Sequence, residues 1–192
     1  MRFYQLLLVL LASNSVIASD SYPECACEID SPPWFWNKAD TARWMTHSLD
    51  WGILSTISSR LDSNSQGPIP FGNVYSFVDG PCNNSTGTPY FYGTYMDQSF
   101  TDAVNNTNVA LTLSAAALNS ACLSASSKHD IIKEGSCIIG GEFGWGDPEL
   151  PVCARMTMTG KLVEVTDSVE KGWAQDALFA RHKSMSGWPG DH

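Results

Sequence analysis

Few residues in this chain stand in patterns that could make or break a bond. His182 follows Arg181 at what reads as the end of a helix. A histidine there could serve as a general base, but the helix macrodipole favours an imidazolium at that position for purely structural reasons. The histidines show no H-x-x-x-H pair and no G-x-S-x-G elbow occurs, so neither a metallohydrolase nor a serine-hydrolase pattern is present. Asp147 and Glu149 form an acidic pair in a loop, which reads as solvated rather than as a hydrolase dyad. Cys25-Ala26-Cys27, with His47 farther on, is half a metal set that lacks a second ligand pair at suitable spacing. Gly140-Gly141 and Gly144-Trp145-Gly146 begin like a dinucleotide loop, yet Glu149 stands where the third glycine belongs. These residues therefore assign no catalytic group, no cofactor ligand and no metal ligand.

The charges point the same way. From Leu61 to Ser127 the chain has no lysine, arginine or histidine. Side-chain capture of a phosphate or another anionic group needs a guanidinium, an ammonium or a charged imidazole. A formal net charge of -9 argues against nucleic acid and anionic membrane as partners, because both need a basic face. The cation-free stretch instead carries the sequons Asn83-Asn84-Ser85, Asn84-Ser85-Thr86 and Asn105-Asn106-Thr107. Neighbouring Asn83 and Asn84 are not expected to carry glycans together. Asn84, whose threonine makes the better acceptor, and Asn105 are the preferred sites, with Asn83 the third.

The N-terminus supplies the route that glycosylation requires. Arg2, the apolar run Leu6 to Leu11 and the small-residue site Val16-Ile17-Ala18 read as a signal peptide over residues 1–19, cut after Ala18 or Ser19. No stretch approaches the roughly twenty apolar residues of a membrane helix. Cys25, Cys27, Cys82, Cys122, Cys137 and Cys153 all lie beyond the signal, and an even count in an exported chain reads as disulfides whose pairing stays open. Roughly 170 residues then remain, enough for one domain with an adequate core.

The elements that must position these residues follow from periodicity and punctuation. Residues 20–38 form a Cys/Pro/Trp-rich leader whose Trp34-Phe35-Trp36 packs onto the domain. Asp40 or Thr41 caps a helix with Ala42, Met45 and Leu49 on one face. Trp51 to Ser58 alternates as a strand, with Leu54 and Thr56 opposite Ile53, Ser55 and Ile57. Phe71 to Val78 and Thr88 to Thr94 read as two strands, joined by a turn from Asp79-Gly80-Pro81 to Gly87. Asp97 caps a short helix to Val104, and Val109 to Ala115 is the next strand. A long connection, Ser124 to Pro151, leads to a strand over Val152 to Val165 broken at Gly160. Asp167 or Ser168 caps a last helix with the stripe Val169, Trp173 and Ala177. This order predicts a mainly β domain with flanking helices, a barrel or sandwich.

Several segments carry a resemblance. Thr41-Ala42-Arg43-Trp44, Asp50-Trp51-Gly52, Ser55-Thr56-Ile57-Ser58, Pro70-Phe71-Gly72-Asn73-Val74 and Asp79-Gly80-Pro81 are similar, in order, to the opening of the CREG family of secreted cellular-repressor glycoproteins. Gly87-Thr88-Pro89-Tyr90-Phe91-Tyr92, Asn108-Val109-Ala110-Leu111-Thr112-Leu113, Leu178-Phe179-Ala180-Arg181-His182, Met185 and Trp188-Pro189 continue the match, which covers residues 39–192. The resemblance implies a split β-barrel of the FMN-binding, pyridoxamine-phosphate-oxidase-like type, usually a homodimer with flavin at the subunit interface. It also implies a non-enzymatic, secreted or endolysosomal glycoprotein, linked to growth and differentiation control and to a cell-surface or lysosomal-sorting receptor.

Two departures accompany it. Family members continue past the Trp-Pro segment into further β-structure, so an incomplete product with an open edge, or another closing element, is expected. The connection from Cys122 to Cys153 is longer than the family pattern and contains Cys137; with Cys122 and Cys153 at strand ends, a Cys122–Cys153 bridge is the expectation. The alternative function is an FMN-dependent oxidoreductase. Against it, Phe71 to Leu113 offers the hydroxyls of Ser76, Thr94, Ser99 and Thr101 but no cation, leaving backbone N–H groups, Arg43 or Arg155 to hold a phosphate. Flavin is therefore disfavoured, and a binding or signalling module is the expected role.

Overall fold

A period of two in burial builds the sheet. In the computed structural model, which describes residues 27–33, 36–61, 67–119, 122–124, 137, 147–151 and 153–190, β1 spans Trp51–Ile57. Its Gly52, Leu54 and Thr56 face inward, while Trp51 and Ile53 face out. β2 (Pro70–Ser76) pairs with one side of β1, from Trp51↔Ser76 to Ile57↔Pro70. β3 (Asn108–Ser114) pairs with the other through Ile53↔Thr112, and β4 (Arg155–Lys161) joins β3 from Asn108↔Lys161 to Ser114↔Arg155. All pairs are antiparallel in the order β2-β1-β3-β4, an open sheet among the described residues.

Three helices flank it: α1 (Lys38–Ser48), α2 (Gln98–Asn105) and α3 (Ser168–Arg181), the last followed by 3₁₀ turns over Lys183–Gly190. Met45 and Leu49 of the α1 segment meet Phe77, Leu111 and Leu113 in the main core. Val78, Ala177, Leu178 and Met185 form a second cluster, with Tyr90, Tyr92 and Phe179 packed against it. Asp97 caps α2 by accepting the Ser99 N–H, and Asp167 caps α3 by accepting from Val169 and Glu170.

Several expectations are corrected. Helix α1 begins at Lys38 with Asn37 in the N-cap position; the Asn37 amide donates to the Asp40 carboxylate, which leaves Asp40 in the first turn, where its charge suits the dipole. Thr88 to Thr94 makes only the bridge Val78↔Tyr90, because Pro89 has no N–H to give and the Phe100 ring packs against Gly93. β4 starts at Arg155 and runs through Gly160, which pairs with Val109. On α3, Val169 is exposed, and the buried positions are Ala174, Ala177 and Leu178. The disulfides join Cys27 to Cys82 and Cys137 to Cys153. A Cys122–Cys153 bridge is thus excluded: the Cys153 sulfur is committed to Cys137, and Cys122 is oxidised with a different partner. Residues 1–26, Cys25 among them, Trp34, Phe35 and most of the long connection between Ser124 and Pro151 lie outside the described residues.

Gly52 shows how tightly β1 sits under β3. A methyl group there would overlap Leu113 and lie 3.0 Å from both Leu111 Cδ1 and the Thr112 carbonyl oxygen, and that backbone cannot give way. Gly160, by contrast, has open space where a Cβ would stand. Gly52→Ala is therefore expected to lower unfolding free energy by ~1–3 kcal/mol in urea titrations. Gly160→Ala should stay within about 0.5 kcal/mol of the parent. Equal effects would contradict the close approach.

Candidate functional site

After β2 the chain dives inward through Phe77 and Val78, and Asp79 follows with a side chain 0% exposed. A buried carboxylate is costly unless paired and hydrogen-bonded, and the surrounding sequence offers no cation. The partner comes from the last turn of α1. His47 Nδ1 lies 2.7 Å from Asp79 Oδ1, and His47 Nε2 lies 3.2 Å from the Cys82 carbonyl oxygen. Both neighbours only accept hydrogen bonds, so both ring nitrogens donate when the imidazole is protonated. The Asp79 hydrogen bond raises the His47 pKa above its ordinary 6.5, against the opposing pull of burial. Burial alone would raise the Asp79 pKa; the bonds from His47, Ser85 and Gly87 outweigh it and hold the carboxyl below its ordinary 3.8.

Around this pair the turn closes on itself. Ser85 Oγ donates to Asp79 Oδ2 at 2.5 Å and the Gly87 N–H at 3.1 Å, while Thr86 gives its hydroxyl to the Asp79 carbonyl at 2.6 Å. Gly80 has φ +140° and packs under Trp173 and the Asn84 carbonyl, a position that a side chain could not share. The Cys27–Cys82 disulfide fastens the turn to the leader. The outcome is that Asn83 and Asn84 are displayed to solvent on a turn anchored from beneath. Asn105 is also exposed, at the last residue of α2.

Arg181 closes the underside of the turn. Its side chain is 5% exposed, its Nε lies 3.4 Å from Asp50 Oδ1, and its Nη1 is buried with no hydrogen-bond partner among the described residues. His182 is the C-cap of α3, but the dipole does not explain it: burial lowers its pKa below the ordinary 6.5 and so favours the neutral ring, and its Nε2 stands 3.1 Å from the Phe77 carbonyl. It holds the backbone just before Asp79. Asp147 is exposed and donor-facing, accepting the Glu149 N–H at 2.7 Å, so that acidic pair is a loop turn.

A pocket of about 410 Å³ opens beside the sheet. Val78 and Tyr90 exchange both backbone hydrogen bonds, and beyond that bridge the two antiparallel segments part. Val74, Tyr75 and Ser76 line one side of the gap; Tyr92, Gly93, Thr94, Met96 and Asp97 line the other, with Met185 and Trp188 across one end. The Tyr75 hydroxyl donates to Asp97, and burial together with that carboxylate raises the phenol pKa to about 12. Of the four hydroxyls expected near a phosphate, Ser76 and Thr94 reach this lining; Ser99 is buried, and the Thr101 hydroxyl donates to the Tyr95 and Asp97 carbonyls. Arg43 lies against Gly87, and Arg155 pairs in register with Ser114, so neither lines the pocket. Among the described residues the lining thus offers one carboxylate and no cation, a set that does not fit the phosphate of a flavin mononucleotide.

Sequence reasoning missed the central pair. His47 stood out only as a remote companion of Cys25 and Cys27, and no metal-binding cluster of these residue types forms among the described residues. Nothing in local spacing joins positions 32 residues apart; the available signal was an Asp-Gly-Pro turn in a stretch with no cation of its own. The linkage has a definite sign. His47 contributes its stabilisation in full below pH 6.5 and loses it as pH rises through the raised pKa. Asp79 contributes in full above pH 3.8 and loses it as pH falls through the lowered pKa. His47→Gln is expected to cost ~2 kcal/mol in denaturant titrations at pH 5 and clearly less at pH 9. The same cost at both pH values would show that the ring is not charged in the folded state.

Comparison with known proteins places these features. The family model described as CREG, beta-barrel matches residues 33–192. Protein CREG2 of Mus musculus is 36% identical over 151 residues, which is 79% of this chain and 44% of that protein. Protein CREG1 of Gallus gallus is 35% identical over 156 residues, 80% of this chain and 69% of that protein. The chain thus spans about half the length of the CREG2 relatives it matches. Among solved structures, the protein Atu2129 of unknown function from Agrobacterium tumefaciens aligns with TM-score 0.51 at 16% identity, covering 80% of this chain and 48% of that one. A heme binding protein from Mycobacterium smegmatis aligns with TM-score 0.47 at 15% identity, covering 75% and 43%. The architecture is the helix-flanked antiparallel sheet of split-barrel proteins, open among the described residues. By the reach of the family match and the identity of these relatives, the chain belongs to the CREG beta-barrel family.

Proposed function

We propose that this chain is a secreted or endolysosomal glycoprotein that works as a binding and signalling module in growth or differentiation control, without flavin chemistry of its own. The observation that carries this reading is the turn over Asp79 to Gly87, which presents Asn83 and Asn84 to solvent while its own carboxylate, disulfide and glycine hold it to the domain. Glycans at Asn84 and Asn105 would stand on fixed backbone, which suits recognition by a cell-surface or lysosomal-sorting receptor. Formed disulfides accord with an oxidising compartment. The charged His47–Asp79 pair contributes most in mildly acidic solution, which accords with an endolysosomal route.

Self-association belongs to the same proposal. The outward face of the sheet carries Trp51, Ile53 and Val74, each more than 40% exposed, with Ile53 directly opposite Val74 across the strands. A second copy of the chain is the partner we assign to that face. Oxidoreductase chemistry is the competing reading, and it needs a phosphate grip that the described residues of the pocket lining do not supply. Protein purified from a secreting cell is expected to pass gel filtration without the yellow absorbance of a flavin and to carry glycan at Asn84, read by glycosidase conversion of that residue to aspartate. Stoichiometric flavin would overturn the non-enzymatic reading, and an unmodified Asn84 would overturn the glycan-display reading.

A further inference from the structure

The pocket beside β2 has a charge and a shape that select a ligand class of their own. Among the described residues its lining combines three aromatic rings, two thioethers and one carboxylate, with no cation. Tyr75 and Met185 are buried at 9% and 3% exposure and form its deep part, whereas Trp188 at 43% stands at the mouth. Tyr92 and Trp188 have ring centroids 6.2 Å apart and planes inclined at 56°, so the two rings meet at an incline within the lining. Phe179 backs Tyr92 at 5.8 Å, which holds that ring in place before any ligand arrives. Asp97 Oδ1 is occupied by the Ser99 N–H and the Tyr75 hydroxyl, while its Oδ2 accepts no donor among the described residues. The surrounding segment, from Leu61 to Ser127, adds no positive charge to compete for that oxygen.

We infer that this pocket binds a small organic cation, an alkylated ammonium group seated against the Tyr92 and Trp188 rings with Asp97 as its counter-ion. Aromatic faces attract such a group through their quadrupole, most strongly when the group is poorly hydrated and partly desolvated. Aromatic rings with a carboxylate nearby are the usual means of recognising quaternary and methylated amines. The met thioethers of Met96 and Met185 are polarisable and adapt to the alkyl part. An anion would meet the Asp97 charge and find no donor cation, so the same features discriminate by sign. This inference rests on the cation-free lining that also supports the functional reading, but the two fail separately: bound flavin removes the first, whereas failure of amine binding leaves the glycoprotein reading intact.

The test uses the full secreted chain and three probes of similar size: benzyltrimethylammonium, benzyl alcohol and phenylphosphonate. Binding is followed by tryptophan fluorescence and by methionine methyl shifts in NMR spectra. Benzyltrimethylammonium is expected to bind with Kd below about 1 mM, at least tenfold tighter than either comparator, shifting the Met185 methyl. Asp97→Asn should weaken it about tenfold while keeping the α2 cap, because asparagine caps as well as aspartate. Trp188→Leu, at an exposed position, should abolish the selectivity with little change in thermal stability. Equal or tighter binding of phenylphosphonate, no measurable binding of the ammonium probe, or an Asp97→Asn affinity equal to the parent would each overturn the inference.

Discussion

A carboxylate buried in a stretch that contains no cation must find a counter-charge or a full set of hydrogen-bond donors in the fold around it. Asp79 does so through His47, and in doing so it locks the end of α1 against the turn that follows β2. The ring's second nitrogen then reaches the Cys82 carbonyl, which ties the disulfide-bearing part of the turn into the same contact. Arg181 and Asp50 sit immediately behind, and His182 holds the Phe77 carbonyl that leads into Asp79. One buried charge thereby gathers α1, the sequon turn and the end of α3. Asp102 solves the same problem differently. It is fully buried and accepts from Ser59 N and Oγ, Gln98 Nε2 and Thr56 Oγ1, so neutral donors alone join α2 to the end of β1 and hold its carboxyl below the ordinary range against burial.

These two solutions explain why the scarcity of cations has different consequences at different depths. In the interior it is offset by donors brought from elsewhere in the chain. At the pocket nothing offsets it, and Asp97 leaves the lining negative. The pocket lining thus offers an anion no cation among the described residues, while the outward face carries the exposed apolar side chains of Trp51, Ile53 and Val74. The pocket and the outward face meet at Val74 of β2, and the sequon turn lies outside the pocket lining, an arrangement that accords with the proposed role in binding.

Local rules made much of this visible before the structure was known. The two-residue alternation of β1 is legible because one face is buried and the other is not. The Asp97 and Asp167 caps are legible because an aspartate before an amphipathic run satisfies free N–H groups. Family resemblance added the split-barrel type, which periodicity alone could not separate from a sandwich. Long-range pairings were not legible. His47 and Asp79 lie on different elements, Cys153 chose Cys137 over Cys122, and Tyr92 meets Trp188 only after α3 folds back. Thr88 to Thr94 has strand-like composition, yet it forms only one bridge because Pro89 and Gly93 deny it a ladder.

The central claim is that a protonated His47 answers the buried charge of Asp79. The most direct measurement is an NMR titration of the His47 ring in the folded protein, beside the Asp79→Asn variant. The account predicts a His47 pKa above the ordinary 6.5 in the parent, falling when the carboxylate is removed. A parent value at or below 6.5, unchanged by Asp79→Asn, would contradict it.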